Sequence, residues 1–174
     1  QLSDLHGALF GEDNRDLVNC VRAAGPDYIF LTGDLQDQYR QTPRSYSVSL
    51  GRSLAEIAPT YFITGNHEWA FPDVPGLKRE LEAAGVTVLS NECTVLERGG
   101  GTLVLAGVDD PNGYADQKTP EALAEEIRSV FGDPFWLLLA HRNNYFERTY
   151  SRLGADLVIT GHVRLGADLV ITGH

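Results

Sequence analysis

Apolar segments of this chain repeatedly run into an acid, amide or imidazole lodged in a polar, mostly glycine-flanked turn. Leu2 leads into Ser3-Asp4-Leu5-His6. YIFLTGD (28–34), TYFITGNHE (60–68), FWLLLAH (135–141) and ADLVITGH (155–162) end the same way. The spacing between the segments is helical, so the pattern is that of alternating strands and helices. In open α/β sheets, side chains at the carboxyl ends of strands converge and loop backbone is accessible there. Five turns far apart in sequence can therefore meet at one place.

The elements between these turns are readable. Residues 14–24 put Leu17, Val18 and Val21 on one helical face, stopped by Gly25-Pro26. A second helix is expected near 43–58, with Tyr46, Leu50, Leu54 and Ile57 inward. A third spans 73–84, with Val74, Leu77 and Leu81 inward. Thr119-Pro120 opens a helix running to about Phe131, with Leu123, Ile127 and Val130 facing the core. Another helix is expected near 144–153. The segments 86–91, 93–98 and 102–108 read as a meander of short strands. Parallel units around an antiparallel meander predict an α/β fold with two packed mixed sheets flanked by helices.

Composition removes several classes. The chain has 174 residues, 43% of them hydrophobic and 22% charged, which fits one globular domain. Fourteen Lys plus Arg against 24 Asp plus Glu leave a net charge of −10. That surface argues against nucleic acid or an anionic membrane as a non-specific partner. No apolar run approaches the about 20 residues that span a bilayer. Two cysteines are too few for a disulfide framework and fit a reducing compartment, so a cytoplasmic location is expected. The chain opens on Gln1 and lacks Met, from which an upstream start is expected, and with it room for an N-terminal membrane anchor. Residues 152–162 and 164–174 are the same eleven letters. Two copies do not make a solenoid, so the domain is read as 1–162, C-terminally incomplete, followed by a duplicated segment at 163–174. Only one copy is expected to enter the sheet, the first.

All five histidines, His6, His67, His141, His162 and His174, lie just past an apolar strand segment. Together with Asp and Asn in the same turns they predict a metal site. A mixed nitrogen and oxygen donor set without thiolate suits Mn, Fe or Zn.

The motifs DxH (Asp4, His6), GDxxD (Gly33, Asp34, Asp37), GNHE (65–68), a strand-end His141 and GH (161–162) resemble the calcineurin-like metallophosphoesterases, in order over residues 1–162. The wording SDLHG, TGDLxD and GADLVITGH resembles bacterial phosphohydrolases of the cell-envelope phosphodiesterase type. The resemblance implies a four-layer α/β/β/α sandwich and two divalent metal ions. Asp4 and His6 would hold one ion, Asp34 would bridge both, and Asn66, His141 and His162 would complete the second. His67 would be the general acid and Asp37 the carboxylate that orients it. Glu68 is expected to be structural. The family's last motif is GHxH, whereas this chain reads Gly161-His162-Val163-Arg164, without the second histidine. Arginine has no lone pair to offer in its place.

The expected activity is hydrolysis of a small phosphoester by a metal-bridging hydroxide, a phosphodiester being slightly preferred. The alternatives are a nucleotide or nucleotide-sugar hydrolase on the same site, and a non-catalytic scaffold with an impaired metal site. Phe10, Tyr39, Trp69, Phe71 and Tyr114 follow motif loops. They are read mainly as loop packing, with an apolar rim for a lipid tail, base or aromatic leaving group as the functional reading. Arg142, beside His141, is expected to be structurally paired or solvated.

Overall fold

The computed structural model describes residues 1–113 and 117–162, together with the backbone of 170–173. Two sheets pack face to face with helices outside. In the first, β1 (Ile29–Leu31), β2 (Thr60–Phe62) and β3 (Val86–Val88) run parallel in that order, and Leu2 bridges to Leu31 at its edge. Helices α1 (Arg15–Ala24), α2 (Arg44–Ala55) and α3 (Val74–Ala83) cover its outer face. The second sheet orders β4 (Glu92–Arg98), β5 (Gly101–Gly107), β6 (Trp136–Arg142), β7 (Leu157–His162) and β8 (Val170–Gly173), with α4 (Pro120–Phe131) outside.

Three apolar layers separate the four structural layers. Val18, Leu31, Leu50, Leu54, Leu77 and Leu81 pack between the first sheet and its helices. Ile63, Leu89, Leu105, Leu137, Leu139 and Ile159 pack between the sheets. Ala106, Leu123, Ile127, Trp136, Leu138 and Val158 pack under α4. Strand β6 thus buries both faces, alternating Leu137 and Leu139 inward with Trp136 and Leu138 outward. That is why its sequence is a continuous apolar run instead of an alternating one.

Several expectations are corrected. The 86–91 segment supplies β3, which pairs parallel with β2 across the α3 crossover; only β4 and β5 form the antiparallel hairpin. Residues 144–153 form two short 3₁₀ turns, Asn143–Tyr145 and Tyr150–Arg152, instead of a helix. These turns carry the crossover between the parallel strands β6 and β7. Val130 is 66% exposed, because the inward face of α4 is carried by Leu123, Ala124 and Ile127. The second copy of the repeat also enters the sheet: β8 pairs antiparallel with β7, Ile159 opposite Ile171, the same residue of each copy. An unpaired strand edge is a template for another segment, and here the second copy pairs with β7. His174 and Tyr114 lie outside the described residues, as do Val163 and Arg164.

Candidate metal centre

The backbone brings the first three donors together. Asp4 N–H donates to Gly33 O (3.1 Å), His6 N–H to Asp34 O (3.0 Å) and Gly7 N–H to Leu35 O (2.9 Å), so the 4–7 turn runs alongside 33–35. Asp4, His6 and Asp34 all adopt left-handed backbone, with φ of 53°, 49° and 54°. L-residues enter that region at a cost, and they do so where surrounding structure over-determines them. Two glycines permit the crowding. A Cβ at Gly65 would overlap Asp34 Oδ1, and one at Gly33 would collide with Gly65 and with His141 Nδ1.

Asp34 is the centre of the cluster and is fully buried. Its Oδ1 accepts the His67 N–H at 2.8 Å. Its Oδ2 has no hydrogen bond, yet it faces three imidazole nitrogens: His141 Nε2 at 3.3 Å, His6 Nε2 at 3.9 Å and His67 Nε2 at 4.0 Å. Asp4 Oδ1 lies 3.6 Å from His162 Nδ1 and 3.8 Å from His6 Nε2. Ser3 Oγ donates to Asp4 Oδ2 at 2.6 Å and fixes that carboxylate. The donor atoms fall into two groups, Asp4–Asp34–His141–His162 and His6–Asp37–His67, each within 4.8 Å of one another. Asn66 sits half-buried in the turn between Gly65 and His67.

His141 reaches across from the second sheet. Its Nδ1 is 2.8 Å from Thr32 O, so Nδ1 carries the proton and Nε2 is left to face Asp34. Burial opposes a charged ring. The Asp34 carboxylate, the Thr32 carbonyl and Asp4 outweigh it and push the His141 pKa up to about 9. Burial likewise raises Asp34, but His141 and the His67 N–H overcome it and hold the carboxyl below its usual range. His6 Nδ1, Asp34 Oδ2 and His141 Nε2 are buried polar atoms without a hydrogen-bond partner. Of these, Asp34 Oδ2 and His141 Nε2 face each other at 3.3 Å, where a cation would satisfy both, and mixed imidazole and carboxylate donors suit a divalent transition metal.

Asp37 and His67 also meet: His67 Nδ1 is 3.5 Å from Asp37 Oδ1. Gln38 N–H donates to the same nitrogen at 3.3 Å, which puts the neutral ring's proton on Nε2, the nitrogen facing Asp34. Burial is the largest single influence on Asp37 and raises it, but the N–H groups of Tyr39 and Arg40 together with the nearby His67 and His6 outweigh it and hold the carboxyl below its usual range.

Glu68 is a strut for the whole arrangement. Fully buried, it accepts N–H from Asp34 (2.9 Å), Gly65 (2.7 Å) and Gln36 (3.1 Å). Burial and the Asp34 charge push its pKa up to about 7 against those three donors.

A second network escaped sequence reading. Buried Asp109, just past β5, accepts from Thr64 Oγ1 (2.7 Å) and from Lys78 Nζ (2.6 Å). Thr64 also accepts from Trp69 Nε1 (2.8 Å). The GNHE turn is thereby tied to both sheets. Its neighbour Asp110 receives Arg142 Nε (2.6 Å) and Nη2 (3.0 Å), so Arg142 is structurally paired as expected. The pair Asp109-Asp110 after an apolar strand was the available signal, but neither residue matches a motif.

Comparison with known proteins agrees with this geometry. The chain matches the calcineurin-like phosphoesterase family over residues 1–174. It is 30% identical over 172 residues to a "Transmembrane protein with metallophosphoesterase domain" of Bos taurus, covering 92% of this chain and 38% of that protein. It is 32% identical over 114 residues to "Uncharacterized metallophosphoesterase YkoQ" of Bacillus subtilis, covering 63% of this chain and 42% of that one. The chain thus spans well under half the length of these relatives. Among solved structures, phosphopantetheinyl hydrolase PptH of Mycobacterium tuberculosis aligns with a TM-score of 0.56 at 16% identity, covering 94% of this chain and 82% of that one. NAD nucleotidase NadN of Haemophilus influenzae aligns at 0.57 and 15%, covering 92% of this chain and 37% of that one. Among the described residues no helix is long and apolar enough to cross a membrane. With the two-sheet sandwich, the strand-end Asp and His cluster and a family match along its entire length, the chain belongs to the calcineurin-like phosphoesterases.

Proposed function

We propose that this chain hydrolyses phosphate esters at a dinuclear metal centre held by Asp4, His6, Asp34, Asn66, His141 and His162, with phosphodiesters slightly preferred over monoesters. The observation that carries the reading is Asp34 Oδ2: buried, without a hydrogen bond, and ringed by three imidazole nitrogens. A pair of divalent ions, Mn, Fe or Zn, would supply an activated water and positive charge against the phosphoryl oxygens. The protein's own part is orientation and proton transfer. His67 offers Nε2–H to the oxygen of the departing alcohol, while Asp37 beside Nδ1 orients the ring. Glu68 and Asp109 fix the turns that carry Asp34 and His67. A non-catalytic scaffold has no use for the Asp37–His67 pair, which favours the enzyme. Nucleotide or nucleotide-sugar esters would use the same site. A membrane link is proposed from the relatives named as transmembrane proteins.

The test is metal analysis plus hydrolysis of an activated aryl phosphodiester by Mn-loaded protein. Two ions per chain and turnover that collapses in His67→Ala support the reading. Absence of bound metal and of turnover overturns it.

A further inference from the structure

We propose that Thr42 is a positioning residue for the proton donor: it fixes Asp37 and the Asp37–Gln38 peptide, and through them the tautomer and seat of His67. The inference deepens the phosphoesterase reading and rests on it. Thr42 belongs to none of the motifs read from the sequence, yet it is only 5% exposed while its neighbours Gln41 and Pro43 face solvent.

Both backbone polar groups of Asp37 end on this one residue. Asp37 N–H donates to Thr42 Oγ1 at 3.0 Å, and Thr42 N–H donates to Asp37 O at 3.1 Å. The two bonds close the base of the 37–42 loop and fix the peptide planes on either side of the Asp37 Cα. A peptide unit is planar, so a bond to Asp37 O also aims the N–H at the other end of the same unit, that of Gln38. This N–H donates to His67 Nδ1 at 3.3 Å. With Nδ1 acting as acceptor, the ring's proton stays on Nε2, the tautomer that donation through Nε2 requires. The Asp37 carboxylate, carried between the two fixed planes, has its Oδ1 3.5 Å from the same Nδ1.

Thr42 is itself held by neighbours of the donor set. Its carbonyl accepts Gln36 Nε2 at 3.0 Å, and Gln36 N–H donates to Glu68 Oε1 at 3.1 Å. Glu68 follows His67 in the chain, so the path through Glu68, Gln36, Thr42 and Asp37 starts and ends on His67. On the other side stands Gly7, directly after His6. A Cβ there would overlap Thr42 Oγ1 and Cγ2, so the His6 turn abuts the threonine with no room between them. A short β-branched side chain suits this place, because it has few rotamers to lose when its hydroxyl is held on one N–H.

The experiment uses Mn-loaded full chain and the benzyl and 4-nitrophenyl monoesters of methylphosphonic acid. The P–C bond stays intact, so each ester releases one alcohol, and of the two only benzyl alcohol needs protonation as it leaves. Thr42→Val puts a methyl group in place of the hydroxyl and leaves the Asp37 N–H unpaired. It is expected to lower kcat for the benzyl ester about tenfold at similar KM, with the 4-nitrophenyl ester within about twofold and the metal content retained. Thr42→Ser keeps the oxygen and regains most of the rate. In an Asp37→Asn background the valine costs no further rate, because it acts through Asp37. Should Thr42→Val fail to fold, Thr42→Ala replaces it in the kinetics, and amide exchange of the wild type gives a second reading. An Asp37 N–H that exchanges like a free loop amide overturns the proposal. A benzyl rate unchanged by the substitution, equal losses on both esters, or losses that multiply with those of Asp37→Asn also overturn it and leave the hydrolase reading standing. Failure of the wild type to hydrolyse either ester, or a benzyl rate untouched in His67→Ala, overturns both the proposal and the reading beneath it.

Discussion

His141 Nε2 lies 3.3 Å from Asp34 Oδ2, both side chains are completely buried, and neither atom is hydrogen-bonded. With Nδ1 committed to Thr32 O, a neutral His141 would set a lone pair against a carboxylate. Only a proton or a metal cation between them relieves this. Without metal the proton serves, and the His141 pKa of about 9 stands above its ordinary 6.5. A raised imidazole pKa gives stability that is complete below the unfolded value and is lost as pH climbs through the folded one. Metal-free protein is therefore expected to lose at most about 3 kcal/mol between pH 6.5 and 9. Added Mn should restore stability most strongly at the alkaline end. Thermal melts across that range, with and without metal, check it, and His141→Ala should flatten the metal-free slope.

The Asp37–His67 pair predicts a dependence on the leaving group. His67→Ala should slow esters of alkyl alcohols by about 10²-fold or more, since these need protonation as they depart. An aryl ester with an acidic leaving group should suffer far less. Asp37→Asn should fall between the wild type and His67→Ala. Matched rate measurements on an alkyl and an aryl ester read this directly, and equal losses on both would contradict the role of His67.

Glu68 predicts a stability effect. Its two oxygens take three backbone N–H groups, and glutamine keeps only one of those oxygens. Glu68→Gln should thus cost about 1–3 kcal/mol in chemical denaturation by leaving a buried N–H unpaired. A carboxyl raised from 4.5 to about 7 on folding ionises first in the unfolded chain. Its contribution accordingly weakens stability as pH rises from 4.5 to 7, and the substitution should remove that slope.

The Lys78–Asp109 pair is nearly buried, with side-chain exposures of 15% and 3%. Asp109→Ala should destabilise by about 3–5 kcal/mol, because it strands a buried ammonium. Lys78→Met together with Asp109→Ala should recover part of that loss. A double-mutant cycle by urea denaturation measures the coupling. Loosening the Thr64–Trp69 turn should also lower kcat in the single variant.

The clustering of these Asp and His residues was legible because most of them end an apolar strand in its own turn. Asp4, His6, Asp34, Asp37, His67, His141 and His162 converge as the motif order implied, and Asn66 occupies the same turn as His67. Glu68 was recognised as structural, although its three N–H partners come from two loops that sequence cannot juxtapose. Asp109, Thr64 and Lys78 carry no local signature, since their roles exist only where the two sheets meet. Local rules also mistook 144–153 for a helix, where the crossover from β6 to β7 is built from 3₁₀ turns.

Periodicity and turn chemistry, which act over a few residues, determined the alternating elements, the apolar faces and which turns carry Asp and His residues. Tertiary structure alone decided that Asp34 Oδ2 is buried without a hydrogen bond and that His141 points its free nitrogen at it. Those facts depend on packing between segments as much as 109 residues apart. Desolvation and the distance between charges are properties of that packing, and no local pattern encodes them.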